Sequence, residues 1–277
     1  MSFELPYFDL LLRRLDQHHP AFELAFGRHV HWGYWAEPSR ATATAADYAQ
    51  ATEALSQQIY RAAQVADGQH ILDVGCGFGG TIASLNENFN STHLLGINID
   101  ERQLERARLT VKPRPGNHIE FRHGDACALP LADGSMDRVL AVECIFHFAD
   151  RQKFFAEAFR VLKPGGYLAL SDFVPQQWYA PIARLGTNSP VMTRFFGRCS
   201  LCSLKGYRKL MRETGFEGVL ERDVTANTLP TYAFMRAFAA QLGSGASGSG
   251  NLATRSMEMT SRIGALRYQI LAFRKPV

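Results

Sequence analysis

Long apolar runs are missing from this chain. No stretch of its 277 residues approaches the roughly 20 consecutive apolar positions of a membrane-crossing helix, so no membrane span is expected. The opening Met1-Ser2-Phe3-Glu4 carries an acid and no basic segment, which argues against a secretory leader. Cysteine is scarce and odd in number: Cys76, Cys127, Cys144, Cys199 and Cys202 show no zinc-binding spacing, and Cys199-x-x-Cys202 has no second pair. Neither a disulfide framework nor a metal site is expected, and a reducing cytoplasm fits this usage. Excess charge is also lacking. A net +4 with no basic stripe interleaved with aromatics speaks against a nucleic-acid partner. With 46% hydrophobic and 20% charged residues, the composition is that of a globular chain long enough for one large α/β domain or two small ones.

What is present centres on Ile71-Leu72-Asp73-Val74-Gly75-Cys76-Gly77-Phe78-Gly79-Gly80. A short apolar run ends in an acid and breaks into closely spaced glycines, with a helix expected from Thr81. Glycines between strand and helix allow a tight turn and let a ligand lie against bare backbone, facing the unpaired N–H groups of the helix. The spacing is not G-x-G-x-x-G. Asp73 would repel a pyrophosphate and attract a cation.

Around this stretch the chain alternates strand and helix. Strands are expected at 71–74, 93–99, 118–122, 137–142, 167–171, 219–224 and 268–273, with helices at 47–66, 81–89, 101–111, 151–162 and 203–214. Asp100 and Asp150 precede two of the helices as N-caps, and Lys163-Pro164-Gly165-Gly166 reads as a helix stop. The rhythm predicts a doubly wound, seven-stranded, mainly parallel α/β sheet in one domain. A helical arm (1–66) precedes the core (67–172), an inserted helical cap carrying strand six spans 173–265, and the last strand spans 266–277. The arm contains His31-Trp32-Gly33-Tyr34-Trp35, either an aromatic staple or a wall beside a cationic ligand. Gly243 to Gly250 has linker composition and is expected to be a mobile surface loop.

Five segments occur in a telling order: Asp73 to Gly79; Gly96-Ile97-Asn98-Ile99 followed by Gln103; Gly124-Asp125-Ala126 with Leu129-Pro130; Glu143 to His147; and Arg160 to Gly166. Over residues 70–172 this set resembles the class I S-adenosylmethionine-dependent methyltransferases. It is most similar to the subgroup with the rebeccamycin sugar O-methyltransferase, sterol and tocopherol C-methyltransferases and cyclopropane-fatty-acid-type enzymes. His31 to Trp35 and Ser171-Asp172-Phe173-Val174 match the same subgroup. The resemblance implies a Rossmann-like fold and S-adenosyl-L-methionine as cofactor. Gly75 and Gly77 would lie under its methionine part, with Asp73 toward the ammonium and His31 near the carboxylate. Asn98, with Ile99 beside it, and Gln103 would meet the ribose, where many members carry an acid in place of Asn98. Asp125 and the Ala126 N–H would meet the adenine, with an Asx-turn as the lesser alternative for Asp125.

A hydroxyl acceptor must lose a proton as it is methylated. His147, after strand four, suits a general base near neutrality, and Asp172, after strand five, could orient it or bind the acceptor. The family carries a histidine pair there, and Phe146 replaces the first. Capping or structural roles remain the alternatives for both residues. The expected activity is O-methylation of a small natural product. Methylation of an alkene carbon, with a diphosphate held by Arg184, Arg194, Arg198 and Arg208, or methylation of an amine, would use the same core. The partner is a small-molecule acceptor, and the sequence assigns no oligomeric state.

Overall fold

The computed structural model describes residues 6–187, 189–241 and 248–277. Its central strand, β1 (His70–Val74), is buried along its last four residues, as a strand covered on both faces requires. β2 (His93–Asn98), β3 (His118–His123), β4 (Met136–Val142), β5 (Leu162–Pro175), β6 (Glu217–Asp223) and β7 (Leu266–Arg274) complete a seven-stranded sheet ordered β3-β2-β1-β4-β5-β7-β6. β1 pairs in parallel with β2 on one side and β4 on the other; β2 to β3 and β4 to β5 are parallel too. Strand order therefore reverses between β1 and β4, and a crevice opens at their C-terminal ends.

Local chemistry sets the connecting helices α4 (Gly80–Asn88), α5 (Glu101–Thr110) and α6 (Arg151–Val161). Asp100 caps α5 by accepting from the Arg102 N–H, and Asp150 caps α6 by accepting from those of Gln152 and Lys153. α3 (Ala45–Ala62) stops four residues before the expected Ala66. Gln64 takes a left-handed φ of +54°, and the Val65 N–H bonds the Tyr60 carbonyl, which closes the helix without a glycine. Lys163 to Gly166, expected to separate helix from strand, instead lies within β5. Leu162 pairs with Met136, and the register shifts before Arg138 pairs with Tyr167.

The chain divides into two compact units. One, of residues 56–172, 205–222 and 269–277, holds most of the sheet, α4 to α6 and nearly all of α9 (Leu204–Thr214).

The other unit, of residues 1–55, 173–204 and 223–268, is helical. It contains α1 (Pro6–Asp16), α2 (Pro20–Phe26), the first part of α3, α7 (Ala180–Thr187), α8 (Pro190–Phe196), α10 (Thr225–Thr228), α11 (Pro230–Gln241) and α12 (Gly248–Arg262). Its core is aromatic. Tyr48 stacks on Phe234 at 4.0 Å, with Phe26 and Phe238 packed around them. Trp32 meets Phe173 and Tyr232 edge-on, and the Trp35 indole donates to Asp47, so both rings act as staples inside this unit. Gly248 to Gly250, expected in a mobile loop, form the first turn of α12; the rest of that glycine-serine run lies outside the described residues. Among the described residues no helix is long and apolar enough to cross a membrane.

Candidate active site

The turn after β1 needs its glycines. Gly75, Gly77 and Gly79 have φ of +74°, +55° and +79°. The N–H groups of Gly75 and Cys76 both donate to the Ile97 carbonyl, at 2.8 and 3.1 Å, folding the turn onto β2. A Cβ at Gly75 would lie 2.8 Å from both the Cβ and Sγ of Cys144. The Cys144 thiol in turn donates to the Val74 carbonyl at 3.1 Å. The turn is thus wedged between the end of β2 and the residues after β4.

Asp73, at the base of this turn, is 1% exposed, and its Oδ1 has no hydrogen-bond partner among the described residues. Burial alone pushes its carboxyl up to about 8. An unmatched buried carboxyl is costly, and a cationic ligand group would relieve that cost. Asp73 therefore suits an ammonium held against the glycine turn.

At the end of β2, Asn98 and Gln103 come together: the Asn98 amide donates to Gln103 Oε1 at 3.0 Å, while Asn98 Oδ1 accepts from the Ile99 N–H at 2.7 Å. The Gln103 amide reaches Asp100 Oδ2 at 3.3 Å, and Arg102 binds the same carboxylate. Burial pushes the Asp100 carboxyl up, but the Arg102 guanidinium and the other donors prevail and hold it below its usual value. Ile99 leaves 38% of its surface exposed beside this network. After β3, Asp125 makes the Asx-turn, accepting from the Cys127 N–H at 2.8 Å through Oδ1, and Ala126 is buried.

After β4, Glu143 takes a left-handed φ of +51°, and a single 3-10 turn, Ile145–His147, presents a half-buried His147 with its ring 4.4 Å from that of Phe146. At the end of β5, Asp172 is completely buried. Its Oδ2 accepts from the Arg151 guanidinium at 3.1 Å and from the Tyr207 hydroxyl at 2.5 Å. Sequence reading missed both donors. Arg151 is an ordinary first-turn residue of α6, and Tyr207 lies 35 positions beyond Asp172 in α9. A buried strand-end acid's need for a cation was the one available signal, and it does not say which cation.

His31 lies in the helical unit. Its Nδ1 bonds the Trp32 carbonyl at 2.9 Å and so carries the proton; Nε2 then accepts from His29 Nδ1 at 3.1 Å, and His29 Nε2 meets Glu53 at 3.0 Å. Burial, then the neighbouring His29, pushes His31 down to about 3. Among the described residues no cysteine is joined in a disulfide, and no group of His, Cys, Asp or Glu could hold a metal ion. Arg208, one of the arginines considered for a diphosphate, is paired with Glu221 at 2.9 and 2.6 Å.

Comparison with known proteins bears on the family. The sequence pattern of a family described as a methyltransferase domain matches residues 72–170. The methyltransferase GfsG of Streptomyces halstedii is 34% identical over 224 residues, which span 78% of this chain and 76% of that protein. The 27-O-demethylrifamycin SV methyltransferase of Amycolatopsis mediterranei is 33% identical over 75% of this chain and 73% of its own length. Among solved structures, the [4+2]-cyclase SpnF shares the fold with a TM-score of 0.77 at 24% identity, and the match covers all of both chains.

Proposed function

Because this chain belongs to the S-adenosylmethionine-dependent methyltransferases, we propose that it methylates a hydroxyl group of a small natural product, with His147 as the base and Asp172 as a fixed charge beside the reaction. What carries this reading is the meeting, at one sheet edge, of an unpartnered buried carboxyl, a glycine turn and the two strand-end groups His147 and Asp172. The relative from Amycolatopsis, named for a hydroxyl-bearing acceptor, supports the choice of oxygen. The arm, core, cap and last strand serve as one methyltransferase domain.

When bound, the cofactor supplies a methyl group activated on a positively charged sulfur, which leaves as a neutral thioether. Asp73 gives up its proton and meets the ammonium, while Gly75 and Gly77 let the methionine part approach bare backbone. Asn98, held by Gln103, offers its amide to the ribose, and Ile99 gives the base an apolar edge. Asp125 keeps Oδ2 for the adenine amino group, and the Ala126 N–H meets a ring nitrogen. His147 would take the hydroxyl proton of the acceptor as its oxygen is methylated.

Replacing His147 with Ala should lower kcat by about 10²–10⁴-fold while calorimetric affinity for S-adenosylhomocysteine stays the same. Unchanged turnover removes the base role. Mass spectrometry locating the new methyl on carbon or nitrogen would replace O-methylation with one of the other chemistries.

A further inference from the structure

We propose that Tyr207 and Arg151 are positioning residues for methyl transfer: they hold the Asp172 carboxylate ionised and in a single orientation at the end of β5. The inference rests on the reading of Asp172 as a group beside the reaction. Three elements converge on one oxygen. Asp172 Oδ2 ends β5, Arg151 opens α6 and Tyr207 comes from α9. Both partners are withdrawn from water: the Arg151 side chain is 10% exposed and Tyr207 is 1% exposed. The guanidinium also lies over the Tyr207 ring, 5.9 Å from its centroid, so each of the three groups touches the other two. Arginine keeps its charge in proteins, and the tyrosine has one proton to give, so the carboxylate between them is the anion.

Such a cluster is a poor device for stability alone. Apolar residues of similar volume commonly replace a buried ion pair without loss. The electrostatics give it a reach that packing would not. The Cys144 thiol, wedged against Gly75, is pushed up first by burial, with Asp172 among the acidic groups that act on it, so Asp172 lies within electrostatic reach of the glycine turn. An anion fixed there favours positive charge as it forms on His147, and a protonated Asp172 would not. Arg151 and Tyr207 bond Asp172 directly, and Cys144 is acted on by it.

The test uses the full chain with Tyr207→Phe and Arg151→Lys. Carbon-13 NMR of aspartate-labelled protein follows the Asp172 carboxyl, assigned through Asp172→Asn. The wild-type carboxyl should take up its proton at a lower pH than it does in either variant. Losing the tyrosine donor should raise its midpoint by at least one pH unit, with Arg151→Lys in between. Turnover measured across a panel of hydroxylated acceptors should fall about tenfold in Tyr207→Phe, with an unchanged KM for S-adenosylmethionine and an acid limb displaced to higher pH. An unshifted midpoint, or normal kcat at every pH, overturns the proposal. Arg151→Lys carries the same test if Tyr207→Phe does not fold. If His147→Ala is inert while Tyr207→Phe behaves as wild type, this inference fails and the base reading stands. If His147→Ala is fully active, the base reading fails, while the NMR midpoint still decides whether Tyr207 and Arg151 hold the charge.

Discussion

The two compact units bury their polar groups on opposite terms. In the sheet-bearing unit, Asp73 is enclosed without a hydrogen-bond partner for Oδ1, and Asp172 is enclosed with two donors on one oxygen. In the helical unit the buried His31 is bonded at both nitrogens, and the Tyr48 hydroxyl donates to the His31 carbonyl amid stacked rings. Asp73 keeps a deficit that a ligand can settle, whereas His31 is satisfied within its own unit. Perturbed groups therefore separate into a candidate site and a core histidine, although burial is the leading cause in both Asp73 and His31.

The largest effect should come from breaking the helical unit's aromatic core. Phe234→Ala, which removes the ring stacked on Tyr48, should cost about 3–5 kcal/mol in denaturant unfolding. In the sheet-bearing unit the corresponding break is functional. Gly75→Ala forces a β-carbon onto Cys144 at a left-handed φ, and calorimetry should find S-adenosylhomocysteine binding weakened by roughly 100-fold, or about 2.7 kcal/mol.

The pH responses of the two units should be opposite. His31 is neutral in the native state down to about 3, whereas the unfolded chain protonates it near 6.5, so its contribution to stability is lost as pH falls through that window. Asp73 keeps its proton in the native state up to about 8, whereas the unfolded chain releases it near 3.8, so its contribution is present in acid and lost as pH rises through that window. An ammonium ligand must displace that proton. At pH 7 binding of S-adenosylhomocysteine should release close to one proton, read from titrations in buffers of different ionisation enthalpy, and Asp73→Asn should abolish the release. Equal proton counts in the two proteins would end the comparison between the units.

The smallest effect separates capping from binding at the end of β2. Asp100→Ala removes the α5 cap and should cost about 0.5–2 kcal/mol of stability, seen in thermal unfolding. Gln103→Ala leaves the cap in place and should act mainly on cofactor affinity.

Legibility followed the same division. β1 to β4, the glycine turn and the caps at Asp100 and Asp150 were readable because each is set by short-range rules: burial of an apolar run, positive φ, and a carboxylate accepting from the next turn. The end of α3 was misplaced because Gln64, with a β-carbon, takes the left-handed position usually marked by glycine. The Lys163 to Gly166 stretch was read as punctuation because its pairing with β4 is non-local. Helices α7 and α8 follow no strand–helix rhythm and were expected only as a cap.

Sequence alone carried the resemblance that names the cofactor class and the strand–turn–helix at its centre, because a strand, an acid and clustered glycines fix a turn within ten residues, Ile71 to Gly80. Tertiary structure alone decided what holds Asp172. The donors Arg151 and Tyr207 come from 21 positions before and 35 after, and a buried charge is satisfied by whatever neighbour the fold delivers, a choice that no local pattern encodes.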